Sequence, residues 1–311
     1  NKLPYLVLAV TSFDLFIAIV TTVLPSSIDK IYPFYSNVGT GGVVELLTGE
    51  EDITGRIGSF GNFGYILVSI VLAATPILGL LTLKYFHRLI PVAIGSLAVL
   101  YSGFRSSVAN LFATFMAAGF RDLRWGIFAF VPIIAALLFG LSAVNSSVVR
   151  LPKQMQRALS FMPGDWDTEM ARDAASSNDF RQRVWTLWAR EYFPNQPLLG
   201  RGFGFKSEWT KTSAYNPQAT DYKQMVEVGN IHNGLFACLD AVGIVGTLFF
   251  IGWNVQLLFR TFRVSFDKTN RAGFALRFLA LQLAVSILCY WFGAVTLGTF
   301  LPRQFALAGV F

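Results

Sequence analysis

Five stretches of the chain, at about residues 3–25, 60–83, 125–144, 234–259 and 274–297, stay apolar over roughly the 20 residues that a helix needs to cross a bilayer. Backbone inside lipid must satisfy its own hydrogen bonds, so such segments can only be helices packed in a bundle. Composition points the same way. Of 311 residues 54% are hydrophobic and 14% charged, where soluble domains carry about 25% charge. Mean hydropathy is +0.52, more apolar surface than a soluble globule of this size can hide. Two further segments, 89–104 and 106–120, are each roughly 15 residues long, too short to cross separately by length alone. Arg105 lies between them, which fits a helical hairpin whose tip is recessed below one membrane surface. The expected fold is therefore an all-α integral membrane protein, a polytopic helix bundle of about seven spans with a partly helical outer loop. Residues 1–144 form the N-terminal spans with the Arg105 hairpin, 145–231 the large outer loop, and 232–311 the C-terminal spans.

Charge sets the orientation. Lys84, His87 and Arg88, then Arg121 and Arg124, then Arg260, Arg263, Lys268 and Arg271 fall on one side by alternation, and the positive-inside rule makes that side cytoplasmic. The opposite loop, 26–56, carries Asp29, Glu45, Glu50, Glu51 and Asp52 against Lys30 and Arg56. The long polar stretch lies with it, outside. In a membrane protein the net charge of +7 reads as orientation signals plus anion-binding positions, with no need of nucleic acid. Cys238 and Cys289 sit in apolar runs and are too few for a disulfide framework or for a structural zinc site, which takes about four ligands. The chain opens at Asn1 without an initiator Met or a signal-peptide pattern, as expected of a segment of a longer protein.

Within the outer loop, residues 179–192 predict an amphipathic helix. Ser177 or Asn178 would cap it, Pro194 would stop it, and Phe180, Val184, Leu187 and Trp188 would form its apolar face. Arg181 would then occupy the first turn, where unpaired N–H groups favour an anion. Alternatively Arg181, Arg183 and Arg190 form a solvated face. The stretch Pro197-Leu198-Leu199-Gly200-Arg201-Gly202-Phe203-Gly204 suits a tight turn or close backbone approach to a ligand; with no strand before it, it is no dinucleotide fingerprint. His232, at the outer rim of a span, has the chemistry of a base near neutral pH and equally that of an interfacial histidine. Asp240 lies two turns along the same helix, too far to orient the ring directly. Asp165-Trp166-Asp167 has the spacing of a metal–sugar-nucleotide site, but before Thr168-Glu169 it reads better as a helix start. Asp14, a carboxylate inside a span, points to a cavity. His87 reads as an orientation signal.

Three stretches in this order resemble the O-antigen ligase and O-antigen polymerase superfamily of bacterial membrane glycosyltransferases. They are Gly58-Ser59-Phe60-Gly61-Asn62-Phe63-Gly64-Tyr65, then Phe104-Arg105-Ser106-Ser107-Val108-Ala109, then a longer set. That set runs from Arg181 and Trp185 through the 197–204 stretch to His232-Asn233-Gly234-Leu235 and Gly243-Ile244-Val245-Gly246. Phe104 departs from the small residue usual there. The likeness covers about residues 58–250, and family members generally have more N-terminal spans.

The resemblance implies a GT-C-like enzyme of the bacterial inner membrane with its active site facing the periplasm. It would move a glycan from a polyprenyl (undecaprenyl) diphosphate carrier to an acceptor hydroxyl, with inversion, without cofactor or metal. The acceptor would be a lipid A–core sugar for a ligase or another lipid-linked repeat for a polymerase. Arg105 and Arg181 would hold the diphosphate and His232 would act at the acceptor hydroxyl. Arg183, Arg201, Gly200, Gly202, Asn233 and Asn62 would line the substrate. Two guanidiniums suit a leaving diphosphate, whose charge grows in the transition state. A ligase stands slightly ahead of a polymerase. A transporter of a small anion or a glycan is the alternative from another class, but it should place ionisable groups near the bilayer midplane. Here they gather at the outer rim, Asp14 excepted. A purely structural scaffold leaves the Arg105, Arg181 and His232 set unexplained.

Overall fold

The computed structural model describes residues 2–24, 57–147, 149–202, 222–227, 229–265 and 273–293. The acidic loop 26–56, Phe203 and Gly204, Lys268 and Arg271, and the end of the last span beyond 293 lie outside the described residues. Every regular element among those described is helical. In chain order they are α1 (Leu3–Val23), α2 (Gly58–Ala74), α3 (Leu89–Tyr101), α4 (Arg105–Leu123), α5 (Val131–Ser147) and α6 (Lys153–Leu159). Then follow α7 (Thr168–Leu187), α8 (Tyr222–Glu227), α9 (Gly234–Ser265) and α10 (Phe274–Gly293).

Among the described residues, four segments are long and apolar enough to cross a membrane: Leu3–Val23, Arg105–Ser146, Gly234–Val264 and Phe274–Trp291. The second, at 42 residues, would extend for roughly 63 Å as one helix, about twice the hydrocarbon core. A 3-10 stretch, Arg124–Phe130, divides it into α4 and α5, and Arg124 has φ 56°. Two expected spans are therefore shorter than the apolar runs that announced them. The run 60–83 is helical only to Ala74, where Thr75-Pro76 turns the backbone extended before 3-10 turns at Ile77–Leu81 and Phe86–Arg88. The run from 125 begins its α-helix at Val131.

The chain forms two compact units, Asn1–Ala174 with Val264–Gln282, and Ala175–Arg263 with Leu283–Phe311. In the first, α2 packs on α3 through facing glycines. A Cβ on Gly64 would come within 2.2 Å of the Gly95 carbonyl oxygen, and one on Gly95 within 2.8 Å of that of Gly64. The helices α3 and α4 are joined by Ser102–Phe104, with Gly103 at φ 74° and the buried Ser102 hydroxyl donating to the Val99 carbonyl at 2.7 Å. At another end of this unit Asp122 pairs with Arg121 at 2.7 Å and accepts from the Ile77 amide at 2.7 Å. Asp14 lies on the buried stripe of α1 with Pro4, Ala18 and Thr21.

The outer-loop helix begins eleven residues before its expected start, at Thr168 instead of Asp179. Asp167 caps it, its carboxylate accepting from the Glu169 and Met170 amides at 3.0 and 3.2 Å. Ser177 and Asn178 lie inside it. The segment 171–178 is rich in Ala and Ser, and the cap-like Ser177 and Asn178 are carried in the helix interior.

In the second unit α9 is broken at Gly243, whose φ 65° and ψ −171° are open only to glycine. In an unbroken helix the Ile244 and Val245 amides would donate to the Asp240 and Ala241 carbonyls. Here residues 197–202 enter between them. Ile244 and Val245 donate to the Pro197 and Leu198 carbonyls at 2.9 and 3.2 Å, while the Arg201 and Gly202 amides donate to the Asp240 and Ala241 carbonyls at 2.6 and 2.9 Å. The splint fits because two glycines face each other. A Cβ on Gly243 would lie 2.2 Å from the Leu198 oxygen, and one on Gly200, at φ 70°, would lie 2.5 Å from the Gly243 nitrogen.

Gly243→Val and Gly200→Val are accordingly expected to cost about 3 kcal/mol or more each, from backbone strain and overpacking together. Thermal unfolding of the detergent-purified protein checks this. Gly252→Ala is the control, since a Cβ there meets nothing within 4 Å and leaves the midpoint unchanged or slightly higher. A wild-type midpoint in Gly243→Val would show that the break tolerates a closed helix.

Candidate active site

The sequence Ile231-His232-Asn233-Gly234 divides its labour residue by residue. Ile231 is fully buried beside Val184, Trp188 and Val226. His232 adopts φ 55°, the left-handed conformation that histidine visits more readily than most side chains but still at a cost. Asn233 caps α9, its side-chain oxygen accepting from the Phe236 amide at 3.2 Å. Gly234 lets α9 touch α10, since a Cβ would stand 2.3 Å from the Tyr290 carbonyl oxygen. The His232 backbone thus takes a strained conformation between a buried residue on one side and a helix cap on the other.

Two tryptophans on the helix that carries Arg181 hold that helix to the entry of α9. Trp185 donates through Nε1 to the Ile231 carbonyl at 2.8 Å, and Trp188 donates to Asp240 Oδ1 at 2.8 Å. Phe236 stacks on Trp188 with centroids 4.9 Å apart. Trp188 opens a π-helical turn, Trp188–Tyr192, that continues α7 and re-aims its last side chains. Phe180 meets the His232 ring edge-on at 6.4 Å.

Burial, and after it the positive charge of Arg181, pushes the His232 pKa below its ordinary value of 6.5. The imidazole is neutral at neutral pH and has a lone pair to offer. Arg181 sits in mid-helix, so the free amides of a first turn are not available to it. Helix start and arginine have parted company at this position.

They come together at Arg105, the first residue of α4. Its guanidinium donates to the Ala174 carbonyl at 3.2 Å. The turn before it is pinned by Arg157, which is 4% exposed, forms an ion pair with Asp173, and donates to the Gly103 carbonyl at 2.7 Å. Nothing in Lys153-Gln154-Met155-Gln156-Arg157 marks that buried cation in advance, because basic residues at such spacing ordinarily face water. Arg105 belongs to the first unit, and Arg181, Arg183, Arg201 and His232 to the second.

Arg201 is held by a bidentate pair with Asp240, Nε to Oδ1 and Nη2 to Oδ2 both at 2.8 Å, and also donates to the Val226 carbonyl at 2.6 Å. Its guanidinium lies over Tyr192 at 4.8 Å. Gly200 and Gly202 belong to the splint. Arg183 is exposed and paired with Asp179 at 2.8 Å. Asn62 is exposed on α2. Asp165 pairs with Arg150 at 2.6 Å, which together with the capping role of Asp167 gives both aspartates structural partners.

The sequence model of the O-antigen ligase family matches residues 90–251, more than half of the chain. No curated protein and no solved structure matches it. The matched span opens at α3 and contains Arg105, Arg181, the splint, His232 and the break in α9. The chain is an all-α membrane protein that belongs to the O-antigen ligase family, whose general activity is glycosyl transfer.

Proposed function

We propose that the protein transfers a glycan from a polyprenyl diphosphate carrier to an acceptor hydroxyl at the outer face of the bacterial plasma membrane, as a ligase, with a polymerase the alternative within the family. The observation that carries the reading is His232, held at φ 55° inside the span that matches the O-antigen ligase family, where burial and then the Arg181 charge push its pKa down.

In the proposed step, an imidazole nitrogen of His232 takes the proton of the acceptor hydroxyl as its oxygen attacks the anomeric carbon. The bond from that carbon to the diphosphate oxygen breaks from the opposite side, inverting the centre. The electron pair leaves on the diphosphate, where guanidiniums meet the growing charge. Arg181 supplies one. We assign the other to Arg105, the first residue of a 19-residue helix. Arg183 is a substrate contact. Arg201, Gly200, Gly202 and Asn233 spend their polar groups inside the protein, so we assign them to the frame that holds the site. Asn62 stays a substrate contact on its exposure. The basic residues near 84–88, 121–124 and 260–263 face the cytoplasm in this reading.

Purified protein, incubated with polyprenyl-diphosphate glycan in the presence of a chelator, tests the reaction. A lipid A–core acceptor and a second lipid-linked repeat, offered separately, tell ligase from polymerase. His232→Ala and Arg181→Ala are each expected to lower transfer by about 10²-fold or more while leaving membrane insertion intact. Full activity in both would sink the assignment.

The imidazole itself can be watched, since His87 is the one other histidine and His87→Asn assigns the spectrum. The His232 C2–H resonance should titrate with a midpoint below 6.5, and the midpoint should rise in Arg181→Gln once the repelling charge is gone. Accordingly, transfer by the wild type should hold through neutral pH and fall only as pH drops through that lowered midpoint. An unmoved midpoint in Arg181→Gln would separate the two residues.

A further inference from the structure

Around α7 from the face that packs inward, one stripe of side chains at helical spacing lines an open groove of about 540 Å³. Asp179, Gln182, Arg183, Arg190 and Glu191 form its floor and Tyr222, the first residue of α8, forms a wall. The groove holds two carboxylates and two guanidiniums, so its formal charge is zero, unlike a site for a diphosphate. Its polar groups are planar and two-pronged, able to donate to or accept from neighbouring hydroxyls in pairs. The Asp179–Arg183 pair, 2.8 Å apart, holds two of them extended along the helix. Tyr222 adds an aromatic wall, with the Arg183 guanidinium 5.9 Å from its centroid.

One wall of the groove stands near the reacting histidine. Tyr222 lies 5.5 Å from Phe180, and Phe180 lies 6.4 Å from His232, centroid to centroid. A chain occupying the groove would have one end a single ring away from the imidazole. The volume falls within the range of small-molecule sites, enough for a short oligosaccharide.

We infer that this groove is a subsite for a neutral oligosaccharide, holding sugar residues remote from the bond being made. The inference rests on the proposed glycan transfer for its placement beside His232, but binding can be measured without any transfer. Remote contacts of this kind hold substrate and transition state alike, so they act on affinity for long substrates.

The test uses the full chain in nanodiscs and a panel of reducing-end-labelled neutral tri- and tetrasaccharides built from hexoses, 6-deoxyhexoses and N-acetylhexosamines. At least one should bind. Tyr222→Ala and Gln182→Ala should each weaken it by about tenfold, Tyr222→Phe should keep most of the affinity, and farnesyl diphosphate binding should not change in any of them. Gln182 is exposed, so its variant folds and keeps the test meaningful if Tyr222→Ala does not. In transfer assays KM for a many-repeat donor should rise in both variants, with kcat and the single-repeat KM unchanged. No binding by any saccharide, or equal binding by wild type and Gln182→Ala, would overturn the subsite. Groove-dependent binding with no transfer to any acceptor would overturn the proposed reaction and leave the subsite standing.

Discussion

Backbone amides and carbonyls in or near a membrane need partners, and the break at Gly243 opens two intrahelical bonds where water cannot be counted on. The segment 197–202 answers all four freed groups, and the candidate site depends on its doing so. The same segment delivers Arg201 to Asp240, and Asp240 in turn receives Trp188 from the helix that bears Arg181. The two glycines that permit the splint thus support the contacts that run from Arg201 through Asp240 to Trp188. An unpaired backbone group in such surroundings costs several kcal/mol, whereas one net hydrogen bond in water is worth only about 1 kcal/mol. The splint is therefore better understood as required by the break than as an optional brace.

Much of this was legible in the sequence for a simple reason: lipid allows few solutions. Long apolar runs had to be helices, and Asp167 before Thr168-Glu169 has the chemistry of a cap. What escaped was whatever depended on tertiary partners. Ser177 and Asn178 look like a helix start, but the helix already running from Thr168 absorbs them. Arg157 looks like a surface cation and is buried, because Asp173 and the Gly103 carbonyl meet it. The glycine pattern of 200–204 was readable as close backbone approach, yet at Gly200 the partner is another stretch of this chain. No local pattern distinguishes a ligand from a helix break.

The two arginines assigned to the diphosphate stand in different electrical settings. Arg105 opens a helix, at the end whose dipole also favours an anion. Arg181 lies in mid-helix without that support, but it stands near the base. Burial, and after it the Arg181 charge, lowers the His232 pKa, so the charge adds to what favours the neutral imidazole and also makes it a weaker base.

On the proposed reading, donor binding resolves that conflict. A diphosphate placed against Arg181 neutralises the charge that disfavours the imidazolium, so the His232 pKa rises toward its ordinary value when the leaving group is in position. The histidine then becomes a stronger base only with the donor bound, and linkage requires the converse, that a protonated His232 favours the bound diphosphate. Before donor arrives, the ring is neutral and ready; afterwards it holds the acceptor proton more tightly as the bond to diphosphate breaks. A single arginine placed near both groups would in this way tie proton removal to leaving-group occupancy without any movement of the backbone.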